Sequence, residues 1–321
     1  MNYFQENSRM SSLRIADFFV VVGMDEGVIP FCHATRVLGI DRLKVTEVAF
    51  AAKVLNRYPL VDRADAVFPE GVELFTFPSG VKIHEVPPPP NFHSFIHTSE
   101  DGTHSLGCCL HFFEPLNDTV KKRMRILFEE GQLPEVELLD WSKFYTPKSI
   151  VIISRWPFIT SFREVLCQFY RMSLTPIELP LERYICNFID DVPAPPKEGQ
   201  KDVNFYIMDQ MICFKCPPLN QPNAWSSLPA QPLFECLDPE NIMTIFSAVL
   251  MERQIVFISS QLSLLTSAAE AITSLIYPLR WVHVYVPVLP LPLIGILAAP
   301  LPFIVGILTS YLDEDDCFIS E

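Results

Sequence analysis

Five of the seven histidines fall between His84 and His111, and there His93, His97, His104 and His111 stand close to the adjacent thiols of Cys108 and Cys109. Imidazole and thiolate are the ligands that hold zinc, so a metal centre is the first chemistry this spacing suggests. A plainer reading competes with it. Residues 91–98 and 103–113 read as two strands around Glu100-Asp101-Gly102, and the side chains of a strand divide between two faces. An ordinary sheet surface is therefore expected, with no metal. Cys213-Phe-Lys-Cys216 is the single C-x-x-C; it has no second pair and runs into Pro217-Pro218, which favours a strand end over zinc or thiol redox. Paired carboxylates occur at Asp190-Asp191 and from Asp313 to Asp316. The first pair lies in a proline-rich loop and the second in a solvated run, and neither offers the closed pocket that acid–base catalysis needs.

Two further groups could face a ligand. Arg253, Ser259, Ser260 and Gln261 fall where an apolar strand gives way to a helix, a place where α/β sheets present binding groups. Helix capping by Ser260 or Ser263 is the alternative. Trp281, His283 and Tyr285 recur at period two and share one strand face, as core or as interface. No G-x-x-x-x-G-K-[ST], G-x-G-x-x-G, G-x-S-x-G or H-E-x-x-H is present, so the chain has no phosphate loop of its own and none of these catalytic signatures. No cofactor is expected.

The elements that must position these residues follow from periodicity. A β-branched and aromatic run from Arg14 to Gly23 predicts a strand. Val45, Val48, Ala49, Ala52 and Leu55 recur at helical spacing between Asp41 and Arg57, predicting an amphipathic helix that Tyr58-Pro59 ends. Short β runs at 73–77 and 81–85 flank Pro78-Ser79-Gly80. With the two histidine-bearing strands, the first half reads as an α+β unit. A charged stretch, 118–147, separates it from a second half that alternates strand and helix. Strands are predicted at 149–154, 255–259 and 281–286, with a hairpin over 205–214. Helices are predicted over 162–172, from Thr175-Pro176 to Phe188, after the Asp238-Pro239 cap, and over 262–276. Near-continuous apolar strands of this kind predict a mostly parallel, covered sheet.

The 321 residues are 49% apolar and 19% charged, with 29 prolines, 11 glycines and a net charge of −14. The acidic balance argues against nucleic acid and anionic lipid as partners; the basic cluster Lys121-Lys122-Arg123 with Arg125 reads as the solvated face of a short helix. Between Gln254 and Leu312 only Glu270 and Arg280 are charged. On hydropathy this is a membrane candidate, but Pro287, Pro290, Pro292, Pro300 and Pro302 interrupt it, and interior prolines each cost a helix about 3 kcal/mol. Short buried strands and helical turns are expected instead of a span. No cationic start with an apolar core opens the chain, and its nine cysteines are scattered in apolar runs; both features suggest a cytoplasmic protein.

The segment Tyr277-Pro-Leu-Arg-Trp-Val-His-Val-Tyr-Val-Pro-Val-Leu-Pro290, continuing to Ala299-Pro-Leu-Pro302 and Phe303-Ile-Val-Gly306, resembles the central motif of the DENN domain. Leu250-Met-Glu-Arg253, Ile255-Val-Phe257, Ser259-Ser260, Glu270-Ala271 and the opening from Tyr145 to Arg155 with Trp156-Pro157 are similar to the same module. Tyr58-Pro59, Phe77-Pro78-Ser-Gly80, His93-Ser-Phe95, Thr98 and Asp101-Gly102 resemble its upstream portion. The likeness covers roughly residues 14–312. It implies a longin-like N-terminal lobe of antiparallel sheet plus helices at 12–140, followed by an α/β lobe with a mostly parallel sheet at 145–321. It further implies a guanine-nucleotide exchange factor for a Rab GTPase. Such a factor clasps the switch regions between its two lobes in membrane traffic and performs no covalent catalysis. The alternative is a longin-type trafficking scaffold without exchange activity. Under the resemblance, Arg253, Ser259, Ser260, Gln261, Trp281, His283 and Tyr285 become GTPase-interface candidates, and peripheral attachment to vesicle membranes would come through partners. A downstream helical portion would normally follow an acidic lead-in such as Asp313 to Asp316, so the sequence is expected to be a fragment or a short form. An isolated chain is expected to aggregate unless its apolar end is shielded.

Overall fold

A computed structural model describes residues 14–29, 31, 46–99, 103–130, 141–176, 178–195, 202–215 and 230–312. The first lobe contains β1 (Phe18–Met24), β2 (Ala49–Phe50), β3 (Ala52–Tyr58), α1 (Val72–Thr76), β4 (Val81–Lys82), β5 (Asn91–Thr98), β6 (His104–Pro115), α2 (Asp118–Glu129) and β7 (Tyr145–Ser154). Its main sheet has five strands in the order β3-β1-β7-β6-β5, every neighbouring pair antiparallel. β2 and β4 form a separate two-stranded ladder.

Three sequence expectations change here. The helix expected over 41–57 is, where described, two strands: Ala52 and Val54 pack inward while Leu55 is exposed at a bulge opposite Val21 and Val22. A bulged edge strand shifts its alternation by one residue, and that shift imitated helical spacing; Val45 lies outside the described residues. The β run expected at 73–77 is instead the single-turn-plus helix α1, opened by Gly71 at φ +73, a conformation that suits glycine. Finally, the 149–154 strand, expected to open the second lobe, is β7, hydrogen-bonded into the middle of the first sheet between β1 and β6. It is buried along almost its whole length, on both faces, and such burial erases the alternation that marks antiparallel strands.

The basic cluster lies on α2, whose Val120, Met124 and Leu127 are buried while Lys122 and Arg125 are exposed, and Asn117 caps its N-terminus through the amides of Thr119 and Val120. Beyond β7, α3 (Ile159–Leu174) buries the expected face of Phe162, Val165, Leu166, Phe169 and Met172. α4 (Leu181–Asp191) starts after Pro180 and not at Thr175-Pro176, where the chain is extended. The hairpin β8 (Val203–Ile207) and β9 (Gln210–Phe214) lays Phe205 and Phe214 against Phe188 and, through Phe214, against Phe158 and Phe162. Edge-to-face and tilted rings of this kind add stability beyond their buried area.

The second sheet is built from β10 (Ile255–Ser259), β11 (Val284–Val286) and β12 (Phe303–Leu308), all parallel, with β12 in the centre. α5 (Gln231–Cys236), α6 (Pro239–Leu250) and α7 (Leu262–Leu275) accompany it. Asp238 and Pro239 do start α6, though no side-chain cap bond forms. The charge-poor stretch resolves into short strands, the helix α7 and a 3-10 helix, Leu291–Ala298, and among the described residues no helix is long and apolar enough to cross a membrane. The third strand is shorter than expected, since Trp281 to His283 precede its pairing. One apolar core runs through both lobes, from Phe18 and Val20 to Ile272 and Ile304.

Candidate functional site

The lobes meet at α7 and at the segment after β11. Buried Thr266 of α7 donates to the Ser94 carbonyl of β5 at 2.6 Å. The Leu291 amide donates to Pro78 at 2.9 Å, and the Leu289 amide to Gly306 at 2.8 Å. The segment 289–291 thus links β12 to the first lobe at Pro78, and α7 is tied to β5.

At the amino-terminal end of the parallel strands, the turn from α6 to β10 carries Glu252 at φ +53. Glu252 Oε2 lies 3.2 Å from His283 Nε2, and Gln254 Nε2 donates to the carbonyls of Ala299 (2.7 Å) and Leu301 (3.3 Å). These contacts gather three chain segments into one end surface. Its apolar members are Leu250, Met251, Val282, Val284 and Leu301, with Met251 at 61% and Val282 at 71% exposure; Arg253 is exposed beside them. Below the surface, Trp281 Nε1 donates to Val284 O at 3.0 Å and its ring meets His283 edge-on at 5.2 Å. Tyr285 donates its hydroxyl to Glu270 Oε1 at 2.6 Å. Burial raises the Glu270 carboxyl above its usual range, partly opposed by that hydrogen bond.

The candidate residues therefore separate. Arg253 and His283 lie at the amino-terminal end, while Trp281 and Tyr285 beneath them are core. Ser259, Ser260 and Gln261 lie at the other end of β10, a strand length of about 17 Å away. Arg253 is at the start of the strand, not where it hands over to the helix. Instead of capping by Ser260 or Ser263, Ser259 Oγ accepts from the Gln261 amide at 3.1 Å. The exposed apolar residues were missed because an uncharged run reads as core; the signal was there in Val282 and Val284, which alternate with Trp281, His283 and Tyr285.

The histidines divide between faces as expected, but not on a bland surface. His93, His97, Cys109 and His111 face α1, where His93 meets Phe75 O, Cys109 meets Thr76 and the His97 and His111 rings meet Phe75 and Phe77. His104 bonds Thr98 on the opposite side. His93, His111, Cys108 and Cys109 are buried, and burial pushes both thiols up, away from the reactive thiolate. Among the described residues no group of three or more His, Cys, Asp or Glu could hold a metal ion. Cys216 and the 100–102 turn lie outside the described residues.

Two family models match: the DENN (AEX-3) domain over residues 145–319 and the uDENN domain over residues 52–112. The chain belongs to the DENN family. DENN domains are associated with Rab exchange and membrane traffic. The uDENN match covers the edge strand, α1 and the histidine-bearing strands. The DENN match begins at β7, so both matched segments contribute strands to the first sheet.

Proposed function

We propose that this chain binds a Rab GTPase and promotes release of its GDP, without forming or breaking a covalent bond. The observation that supports the reading most is the pair of DENN matches spanning both lobes. An exchange factor works by differential binding: it must hold the nucleotide-free GTPase more tightly than the GDP-bound form, and by linkage it weakens GDP by the same factor. Such work needs a rigid surface with apolar anchors. The amino-terminal end of the second sheet offers one in Met251, Val282, Val284 and Leu301, with Arg253 and His283 beside them. In this reading Arg253 and His283 are interface residues, Trp281 and Tyr285 hold that surface from beneath, and Ser259, Ser260 and Gln261 form a second contact region at the far end of β10. The Rab would carry the protein to vesicle membranes peripherally. Release of a fluorescent GDP analogue from purified Rab proteins, with and without the chain, tests it. Faster release from at least one Rab is expected, and neither release nor capture of any nucleotide-free Rab would reject it.

A further inference from the structure

The imidazoles of His93 and His111 lie parallel and buried on β5 and β6 of the first lobe, centroids 4.9 Å apart and planes 8° apart, with His93 Nδ1 2.9 Å from His111 Nε2. His93 Nε2 sits 3.3 Å from the Phe75 carbonyl of α1. A carbonyl only accepts, so Nε2 carries the proton and Nδ1 of the same ring is bare. His111 Nε2 must then be the donor to it, which in the neutral ring leaves His111 Nδ1 bare as well, and that buried atom has no hydrogen-bond partner among the described residues. The bonds therefore require His93 to be neutral, and the buried, unpartnered Nδ1 disfavours the charged form of His111. A proton added at His93 Nδ1 breaks the bond between the rings; one added at His111 Nδ1 creates a buried donor with nothing to accept it.

Among the described residues nothing around the pair compensates a charge. On the same face β5 supplies His97 and β6 supplies Cys109, neither of them anionic; β7 places Ser149 and Val151 opposite His111 and Cys109. α1 and the residue after it contribute Phe75, Thr76 and Phe77 to the contact, and the one acid of α1, Glu73, is half-exposed. The other side of α1 faces the second lobe. Leu74 packs against the cluster of Leu289, Leu291, Phe303 and Val305, and the carbonyl of Pro78, two residues beyond the helix, accepts the Leu291 amide. The strap 72–78 thus has the histidine pair beneath it and the second lobe above it.

We propose that the His93–His111 pair is a proton-sensitive latch: neutral, it seats α1 on β5 and β6 and so holds the lobe junction at Pro78 and Leu291, and acidification releases both. Burial lowers His93 to about 4, and burial with the neighbouring His93 charge puts His111 well below its ordinary value. An unfolded or opened histidine titrates near about 6.5, so the opened state binds more protons below that pH. The stabilisation is complete above about pH 6.5 and declines as pH falls toward 4. With two protons taken up, the closed-to-open ratio falls by up to about a hundredfold per pH unit in that window.

The test is amide hydrogen exchange of the whole chain at pH 7.5 and 5.0, corrected for intrinsic rates, with urea unfolding at the same pH values. It compares wild type with His111→Gln and with the double variant His93→Phe, His111→Leu. The expected result is faster exchange of the Leu291 amide and of residues 75–78 at pH 5.0 in wild type. The pH slope of stability should be up to two protons shallower in the double variant and about one proton shallower in His111→Gln, which keeps a side-chain donor for His93 should the double variant not fold. The other lowered histidines, His84, His97 and His104, are common to all three proteins and cancel. Equal slopes in wild type and the folded variants, or Leu291 equally protected at both pH values, would overturn the latch.

Discussion

Replacing Gly306 with alanine puts a methyl group where the chain has no room for one. Gly306 sits in β12 opposite Phe257. A Cβ there would lie 3.1 Å from Leu265 Cβ and 3.0 Å from the Pro287 carbonyl carbon, and closer still to that carbonyl's oxygen, where ordinary contact begins at 3.4 Å. Neither neighbour is the free end of a flexible side chain. The Pro287 peptide must withdraw, and with it goes the 2.8 Å bond from the Leu289 amide to Gly306 O. Overpacking a close-packed interior costs about 1–3 kcal/mol and a lost hydrogen bond about 1 kcal/mol. A total of about 2–4 kcal/mol lowers Tm by roughly 5–15 °C, taking about 2–4 °C per kcal/mol. Thermal unfolding followed by tryptophan fluorescence measures it. Gly295, with nothing within 4 Å of its would-be Cβ, supplies the control, and Gly295→Ala should melt with wild type to within about 2 °C. If Gly306→Ala melts with that control, the second lobe is not held by the close crossing of the 287–289 segment over β12.

Other substitutions read out other contacts. Asp17 is buried and takes two bonds from Arg155, at 2.8 and 3.0 Å; Asp17→Leu removes both and leaves that guanidinium only the more distant Asp65, 3.8 Å away, and should lower stability by about 1–3 kcal/mol in urea unfolding. Thr266→Val removes the donor to Ser94 O at the lobe junction, for an expected loss of about 1–3 kcal/mol in the same assay. Met251→Asp with Val282→Asp alters side chains that are mostly solvent-exposed, so Tm should move by less than about 2 °C while Rab binding, measured by capture of the nucleotide-free GTPase, is lost.

Strands and helices with one buried face were legible in the sequence. α3 repeats its apolar residues at helical spacing, and β5, β6, β10 and α7 lie close to their expected positions. What misled was burial that hides periodicity or an irregularity that shifts it. β7 is covered on both faces and so looked like a parallel strand, and β12 was not singled out within its uncharged, proline-interrupted run. The bulge at Leu55 turned alternation into an imitation of helical spacing. The candidate site was half legible. Side-chain types and period two picked out His283 above Trp281 and Tyr285, but sequence neighbourhood joined Arg253 to Ser259, Ser260 and Gln261, which β10 holds a strand length apart. The exposed apolar side chains of the end surface come from three distant segments, and only the fold brings them together. The buried histidine pair likewise depends on the register of β5 against β6, which no spacing along the chain specifies.

The most direct test of the account is release of fluorescent GDP from each of a panel of purified Rab GTPases in the presence of the chain, run in parallel with the Met251→Asp, Val282→Asp double variant. The account predicts faster release from at least one Rab with wild type, and no acceleration with the variant at unchanged Tm. No acceleration and no binding across the whole panel would contradict the assignment of exchange activity, and an unimpaired variant would contradict its placement at the amino-terminal end of the second sheet.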